Sequence, residues 1–168
     1  MKMEKEDIKK SLFEYMKVII ITVVLTLGVL HFIQISRVVG SSMEPTYHNG
    51  NIILVDKYFY KRGTPSYNDI VVVKYHVSAG EDQIIKRVVG LPGDHIEMKN
   101  NKLYRNGELL NEDYINEPMV GNEDFSYDIP KGKVFVMGDN RNNSVDSRMI
   151  GYIDFDDQVV GRVFFKVF

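Results

Sequence analysis

An uncharged apolar run near the start of the chain constrains the fold more than any other feature. Residues 18–33 read VIIITVVLTLGVLHFI, about 16 positions without a charge. A spanning helix wants roughly 20. Phe13, Tyr15 and Met16 extend the run on one side, with Lys17 snorkelling outward, and Gln34 and Ile35 extend it on the other. Three readings compete: a cleaved signal, a buried core helix and an uncleaved anchor. A cleaved signal needs small residues just after the run. Here HFIQISRVV follows, and the single alanine of the chain, Ala79, lies far away. A core helix needs a polar face, yet between residues 18 and 30 only Thr22 and Thr26 are polar. The run is therefore read as an anchor over residues 18–35, behind a cytoplasmic tail of residues 1–17. Lys2, Lys5, Lys9, Lys10 and Lys17 precede it, and Arg37 alone follows closely. The positive-inside rule then keeps the N-terminus in the cytoplasm. Everything after about Ser36 is expected outside, on a single-pass protein of the cell membrane whose first partner is the lipid bilayer.

A chain of 168 residues leaves room for one modest domain behind the anchor. The formal net charge is −2 with mixed signs, so no basic field suggests nucleic acid as a partner. Cysteine is absent, which removes thiol catalysis, disulfides and Cys-ligated zinc. After Arg37 the pattern changes to short runs rich in Val, Ile, Tyr and Phe, broken by Gly, Asn and Pro. Strands are predicted at residues 51–60, 70–76, 83–91, 95–99, 102–105, 133–137 and 158–167. Turn signals separate several of them, and Asn100-Asn101 joins two into a hairpin. The fold expected for residues 36–168 is a compact, mostly antiparallel β domain, with residues 108–128 as an irregular excursion.

Four histidines invite a Ser-His-Asp reading, but none has a spacing that singles it out, and each reads as surface or structural. No His-Glu-x-x-His pair, Gly-x-Ser-x-Gly elbow, Ser-x-x-Lys pattern or nucleotide fingerprint is present. Three segments carry denser information. Gly40-Ser41-Ser42-Met43-Glu44-Pro45-Thr46 follows the membrane exit closely, so its serines stay near the bilayer by simple reach. In Ile84-Ile85-Lys86-Arg87-Val88-Val89-Gly90 two cations occupy the middle of an apolar strand. Alternation sends Lys86 to one face and Arg87 to the other. From pattern alone this is either an edge strand with one cation exposed and one snorkelling, or a strand with cations held inside. Gly138-Asp139-Asn140-Arg141-Asn142-Asn143-Ser144-Val145-Asp146-Ser147-Arg148 is dense in hydrogen-bonding groups and reads as a buried polar network rather than a solvated loop.

Together the three segments resemble the bacterial type I signal peptidases in their short Gram-positive form. The resemblance runs from the anchor through Gly161-Arg162. Ser-Met-x-Pro-Thr, Lys-Arg-Val-Val-Gly-x-Pro-Gly-Asp and Gly-Asp-Asn-Arg-x-x-Ser-x-Asp-Ser-Arg occur in the order that family uses. It implies the signal peptidase/LexA-like β fold and no metal or cofactor. It implies a serine endopeptidase that cuts exported preproteins after a small-x-small motif, in functional association with the secretion translocon. Ser42 then corresponds to the nucleophile and Lys86 to the general base. Ser144 matches a hydroxyl that orients the lysine amine. Asp139 matches a carboxylate paired with Arg87, and Asp146 with Arg148 a structural ion pair. The Ser42 N–H contributes to the oxyanion hole. Gram-negative members carry a second donor, a serine hydroxyl, two residues before the nucleophile, where this chain has Gly40. The cleft walls implied for an extended substrate are Val38 and Val39 on one side and Gln83 and Ile85 on the other.

A lysine acts as a base only when neutral. Its ordinary pKa is ~10.4 and a working value is roughly 7–8, so the site must disfavour the ammonium by about 3–5 kcal/mol. Burial can do that, whereas a carboxylate touching the amine would undo it. Two rivals remain: a self-cleaving Ser-Lys protease of the LexA type, and an inactive β module that binds peptides. The anchor and the lack of a DNA-binding region oppose the first. A wide separation of Ser42 and Lys86 would favour the second.

Overall fold

The computed structural model describes residues 2–77 and 80–168, with side chains from residue 8 onward except at 76, 77, 80 and 81. Ala79 and the side chains of Lys2, Lys5 and His76 lie outside the described residues. Helix α1 covers Lys2–Phe32, and its stretch Ile8–Phe32, 25 residues long, is apolar enough to cross a membrane and unburied. The helix ends earlier than expected. Ile33, Gln34 and Ile35 do not extend it but open strand β1 (Ile33–Arg37), where they pair with the next strand. The reason is local: Ile-Gln-Ile-Ser-Arg alternates with the period of a strand, and its β-branched residues suit a pleated surface. A hydrogen bond from Lys57 N to Phe32 O at 3.0 Å closes the junction.

The remaining strands are β2 (Ile52–Asp56), β3 (Ile70–Val77), β4 (Gly80–Gly90), β5 (His95–Lys99), β6 (Lys102–Arg105), β7 (Glu108–Leu109), β8 (Phe125–Asp128), β9 (Lys133–Met137), β10 (Ile153–Asp154) and β11 (Val159–Lys166), with one short helix, α2 (Ser147–Ile150). Seven form one sheet in the order β1-β2-β11-β3-β4-β9-β10, and four form a second in the order β7-β6-β5-β8. The strand pairs described are all antiparallel, so the mostly β expectation holds. The predicted strand over 51–60 stops at Asp56, because its carboxylate accepts the N–H groups of Tyr58 and Phe59 and turns the chain. The hairpin at Asn100-Asn101 forms as expected, with φ of 51° and 59° at the two residues. The excursion over 108–128 is less irregular than expected: β7 and β8 lie inside it and flank the hairpin.

The large sheet is buried on both faces. Val71 and Val73 point into one apolar cluster with Val88, Val136 and Phe155, whereas Val72 points into another with Met43, Ile53, Val55 and Ile85. That is why β3 opens on an unbroken apolar run, Ile70 to Val73, and not on an alternation. A third cluster, built on Ile96, Met98, Leu103, Phe135 and Met137, joins the two sheets. Strand β4 pairs with β9 only from Arg87 onward. Its first half therefore has an open edge, as β1 does at the end of the sheet.

Candidate active site

Ser42 sits in a tight turn after β1. Gly40 enters the turn at φ +88°, a left-handed conformation that a side chain would strain. Met43, 1% exposed, and Tyr47 plug into the core beneath. The turn is also held from above. Asn140 N donates to Ser42 O at 3.0 Å, Asn140 Nδ2 to Ser41 O at 3.1 Å, and Asn143 Nδ2 to Ser41 Oγ at 3.0 Å. Gly138 has no room for a side chain, since a Cβ there would lie 2.3 Å from Ser144 Oγ and 2.5 Å from Ser42 O.

Lys86 comes from β4 and is 1% exposed. Its Nζ lies 2.8 Å from Ser42 Oγ and donates to Ile85 O at 2.8 Å. Burial pushes its pKa down from 10.5 to about 8, against the pull of the Asp146 and Asp139 charges and with a small push from Arg148. That is on the order of 3 kcal/mol against the ammonium. Both cations of β4 are therefore inside, which settles the open question about this strand. Arg87 is treated in the opposite way. Its Nε and Nη2 donate to the two oxygens of Asp139 at 2.7 Å each, and Thr46 Oγ1 donates to the same carboxylate. Burial alone would lower the Arg87 pKa, but the Asp139 hydrogen bonds and charge outweigh it and raise it.

Asp146 and Arg148 form the expected ion pair, Nη2 to Oδ2 at 2.8 Å, and Asp146 also caps α2 and accepts from Gly138 N at 3.0 Å. Ser144 departs from expectation. Its hydroxyl is buried but has no hydrogen-bond partner among the described residues. It does not touch the Lys86 amine, because that amine is turned to Ser42 Oγ and the Ile85 carbonyl. A cleft of about 430 Å³ opens beside Ser42 and Lys86, lined by residues 36–39 on one side and 82–86 on the other. Val38, Val39, Gln83 and Ile85 all line it. Val38 and Val39 do so from the loop after β1, which ends at Arg37.

Sequence reasoning placed Thr46 and Gly138 inside its motifs without giving them a role, and missed Glu112 and Tyr114. Glu112 pairs with the buried Arg141, and Tyr114 stacks on Arg87. It also passed over a Ser-His-Asp line on the small sheet. His95 Nδ1 lies 2.7 Å from Asp128 Oδ1, and His95 Nε2 lies 3.1 Å from Ser126 Oγ. That line is open to water, with His95 and Asp128 side chains 45% and 89% exposed. Among the described residues no group of three or more His, Asp or Glu side chains could hold a metal ion.

The fold and the comparisons with known proteins together put the chain among the serine hydrolases of the peptidase class. The model of the family "Signal peptidase, peptidase S26" matches residues 12–168. The chain is 41% identical over 160 residues to Signal peptidase I S of Bacillus subtilis, covering 88% of this chain and 84% of that one. It is 37% identical over 176 residues to Signal peptidase IB of Staphylococcus aureus, covering 94% and 90%. A crystal structure of a signal peptidase I from Enterococcus faecalis superposes with a TM-score of 0.50 at 31% identity, over 61% of this chain and 98% of that one. The chain belongs to the signal peptidase family, peptidase S26.

Proposed function

We propose that this chain is a membrane-anchored serine endopeptidase that removes N-terminal signal peptides from exported preproteins, with Ser42 as nucleophile and Lys86 as general base. The observation that carries the reading is the 2.8 Å contact between Lys86 Nζ and Ser42 Oγ, made by a lysine 1% exposed beside an open cleft. A serine hydroxyl is a weak nucleophile until a base takes its proton. With a pKa of about 8, Lys86 is neutral in about a tenth of molecules at pH 7. Ser42 Oγ attacks the scissile carbonyl as its proton passes to Lys86 Nζ. The oxyanion forms against the Ser42 N–H, which has no partner among the hydrogen bonds of the described residues. Lys86 then gives its proton to the leaving amine, the new N-terminus of the mature chain. Water, deprotonated by Lys86, hydrolyses the ester and frees the signal peptide.

Substrate choice follows from the two open edges. An extended chain lying between residues 36–39 and 82–86 can hydrogen-bond to both and complete the sheet. Alternate side chains of that chain face the same wall. Val39 and Ile85, both β-branched, keep the wall shallow, so small residues are required at the last and third-last positions before the cut. The helix α1, with its N-terminal cations inside, brings the cleft to the outer bilayer surface, where a translocon delivers such substrates. The test uses full-length enzyme in detergent and a model preprotein with Gly, Ala, Ser, Val or Leu before the cut. Cleavage is expected to persist for the three small residues and to be lost for Leu. Efficient cleavage after Leu would refute the shallow wall.

A further inference from the structure

The segment between β7 and β8 reaches the residues around Ser42 and Lys86. Glu112 grips Arg141 in both prongs, Nη1 to Oε2 at 2.6 Å and Nη2 to Oε1 at 2.5 Å, with the two side chains 6% and 0% exposed. Arg141 Nε donates in turn to the carbonyl of Gly138 at 3.0 Å. Tyr114 Oη donates to Glu112 Oε1 at 2.8 Å. The Tyr114 ring covers the Arg87 guanidinium, whose carbon lies 3.9 Å from the ring centroid. Asn142 adds a tie to the same segment, donating to Glu117 Oε1 at 2.9 Å while accepting from Val120 N at 3.0 Å.

We propose that Glu112 and Tyr114 are positioning residues of the active centre, forming a clasp that presses Arg87 onto Asp139 and Arg141 onto the Gly138 carbonyl. The inference rests on the Ser42/Lys86 reading. A guanidinium binds in its plane and stacks on its face, and Arg87 uses both: the edge on Asp139, the face on Tyr114. Arg87 is Lys86's neighbour in β4, and Gly138 leaves no slack against the Ser42 carbonyl. The charged groups that act on Lys86 are Asp146 and Asp139 from the loop after β9 and Arg148 from α2; Arg87, next to it on β4, is bound to Asp139. Asp82 and Arg37 stand on the two rims of the cleft. Without the ring, water reaches the face of Arg87 and loosens its hold on Asp139. The Asp139 charge is then less compensated and pulls harder on Lys86. That favours the Lys86 ammonium, so the pH at which activity rises moves upward.

The experiment measures kcat, KM and the pH–rate profile of full-length Tyr114→Leu and Tyr114→Phe, with Ser42→Ala as control and cooperative unfolding checked for each. Tyr114→Leu is expected to lose about tenfold or more in kcat with little change in KM. Its acid limb is expected to move up by on the order of half a pH unit. Tyr114→Phe keeps the ring and is expected to restore both. If Tyr114→Leu fails to unfold cooperatively, Tyr114→Met, whose flexible thioether fills the gap, takes its place. A folded Leu or Met variant with wild-type kcat and pH profile overturns the clasp. So does a loss that Phe does not restore. Activity surviving in Ser42→Ala instead overturns the dyad reading, which separates the two failures.

Discussion

Two serines in this molecule stand beside a base, and their surroundings could hardly differ more. Ser126 has the better-known partners, His95 and Asp128, in a line across β8 and β5. All three stand on an open strand surface, where water solvates the imidazole and would compete at any developing oxyanion. Ser42 has the less familiar partner, a lysine, but that lysine is buried and a cleft adjoins it. The difference lies in dielectric and shape, and not in residue type. A buried site strengthens each charge interaction and can move a pKa by units, while water screens the charges of an exposed one.

The largest expected effect breaks the comparison outright. Ser42→Ala should lower preprotein cleavage by about 10⁴-fold or more, as losing a nucleophile does elsewhere, while Ser126→Ala leaves the rate unchanged. A reversed pair of results would move the active centre to the small sheet. Next, Lys86→Arg should be as inactive as Lys86→Ala, because arginine keeps its proton at any working pH. A near-normal Lys86→Arg rate would mean that another group takes the proton. The smallest effect is the pH dependence of the wild type. With neutral Lys86 as the proposed base and burial pushing its pKa down to about 8, the rate should rise about tenfold per unit below pH 8 and level off above it. His95→Ala should leave that profile in place; an acid limb that vanishes in this variant would assign the base to His95.

Much of this could be read before any coordinates, and the exceptions share a cause. The hairpin over β5 and β6, the strand β9 and the opposite facing of Lys86 and Arg87 depend on local periodicity, which a sequence displays directly. Strand β1 was hidden because Ile33 and Ile35 continue the apolar run before them; only pairing with β2 gives them to the sheet. Strands β7, β8 and β10 are two to four residues long; β8 and β10 exist through β5 and β9, distant in sequence, while β7 only folds back on β6 across Asn106-Gly107. Glu112 and Tyr114 looked like ordinary members of a polar stretch. Their meaning comes from Arg141, 29 residues from Glu112, and from Arg87. Ser144 shows the opposite limit: a motif fixed its place, but not the direction in which the neighbouring amine points.

The join between Phe32 and Ile33 has a mechanical consequence. Helix passes into edge strand with no linker, and Lys57 fastens the corner by donating to the carbonyls of Phe32 and Leu30. Phe32 also stacks on Phe59, edge-on to Tyr58. A corner braced in this way transmits torque: when the helix tilts, the whole sheet tilts with it. Under the proposed function, with α1 in a bilayer, the cleft would ride at a set height on a short stiff stalk, like the jaw of a caliper. The distance from the membrane to the bond being cut would then be a property of the enzyme's own skeleton.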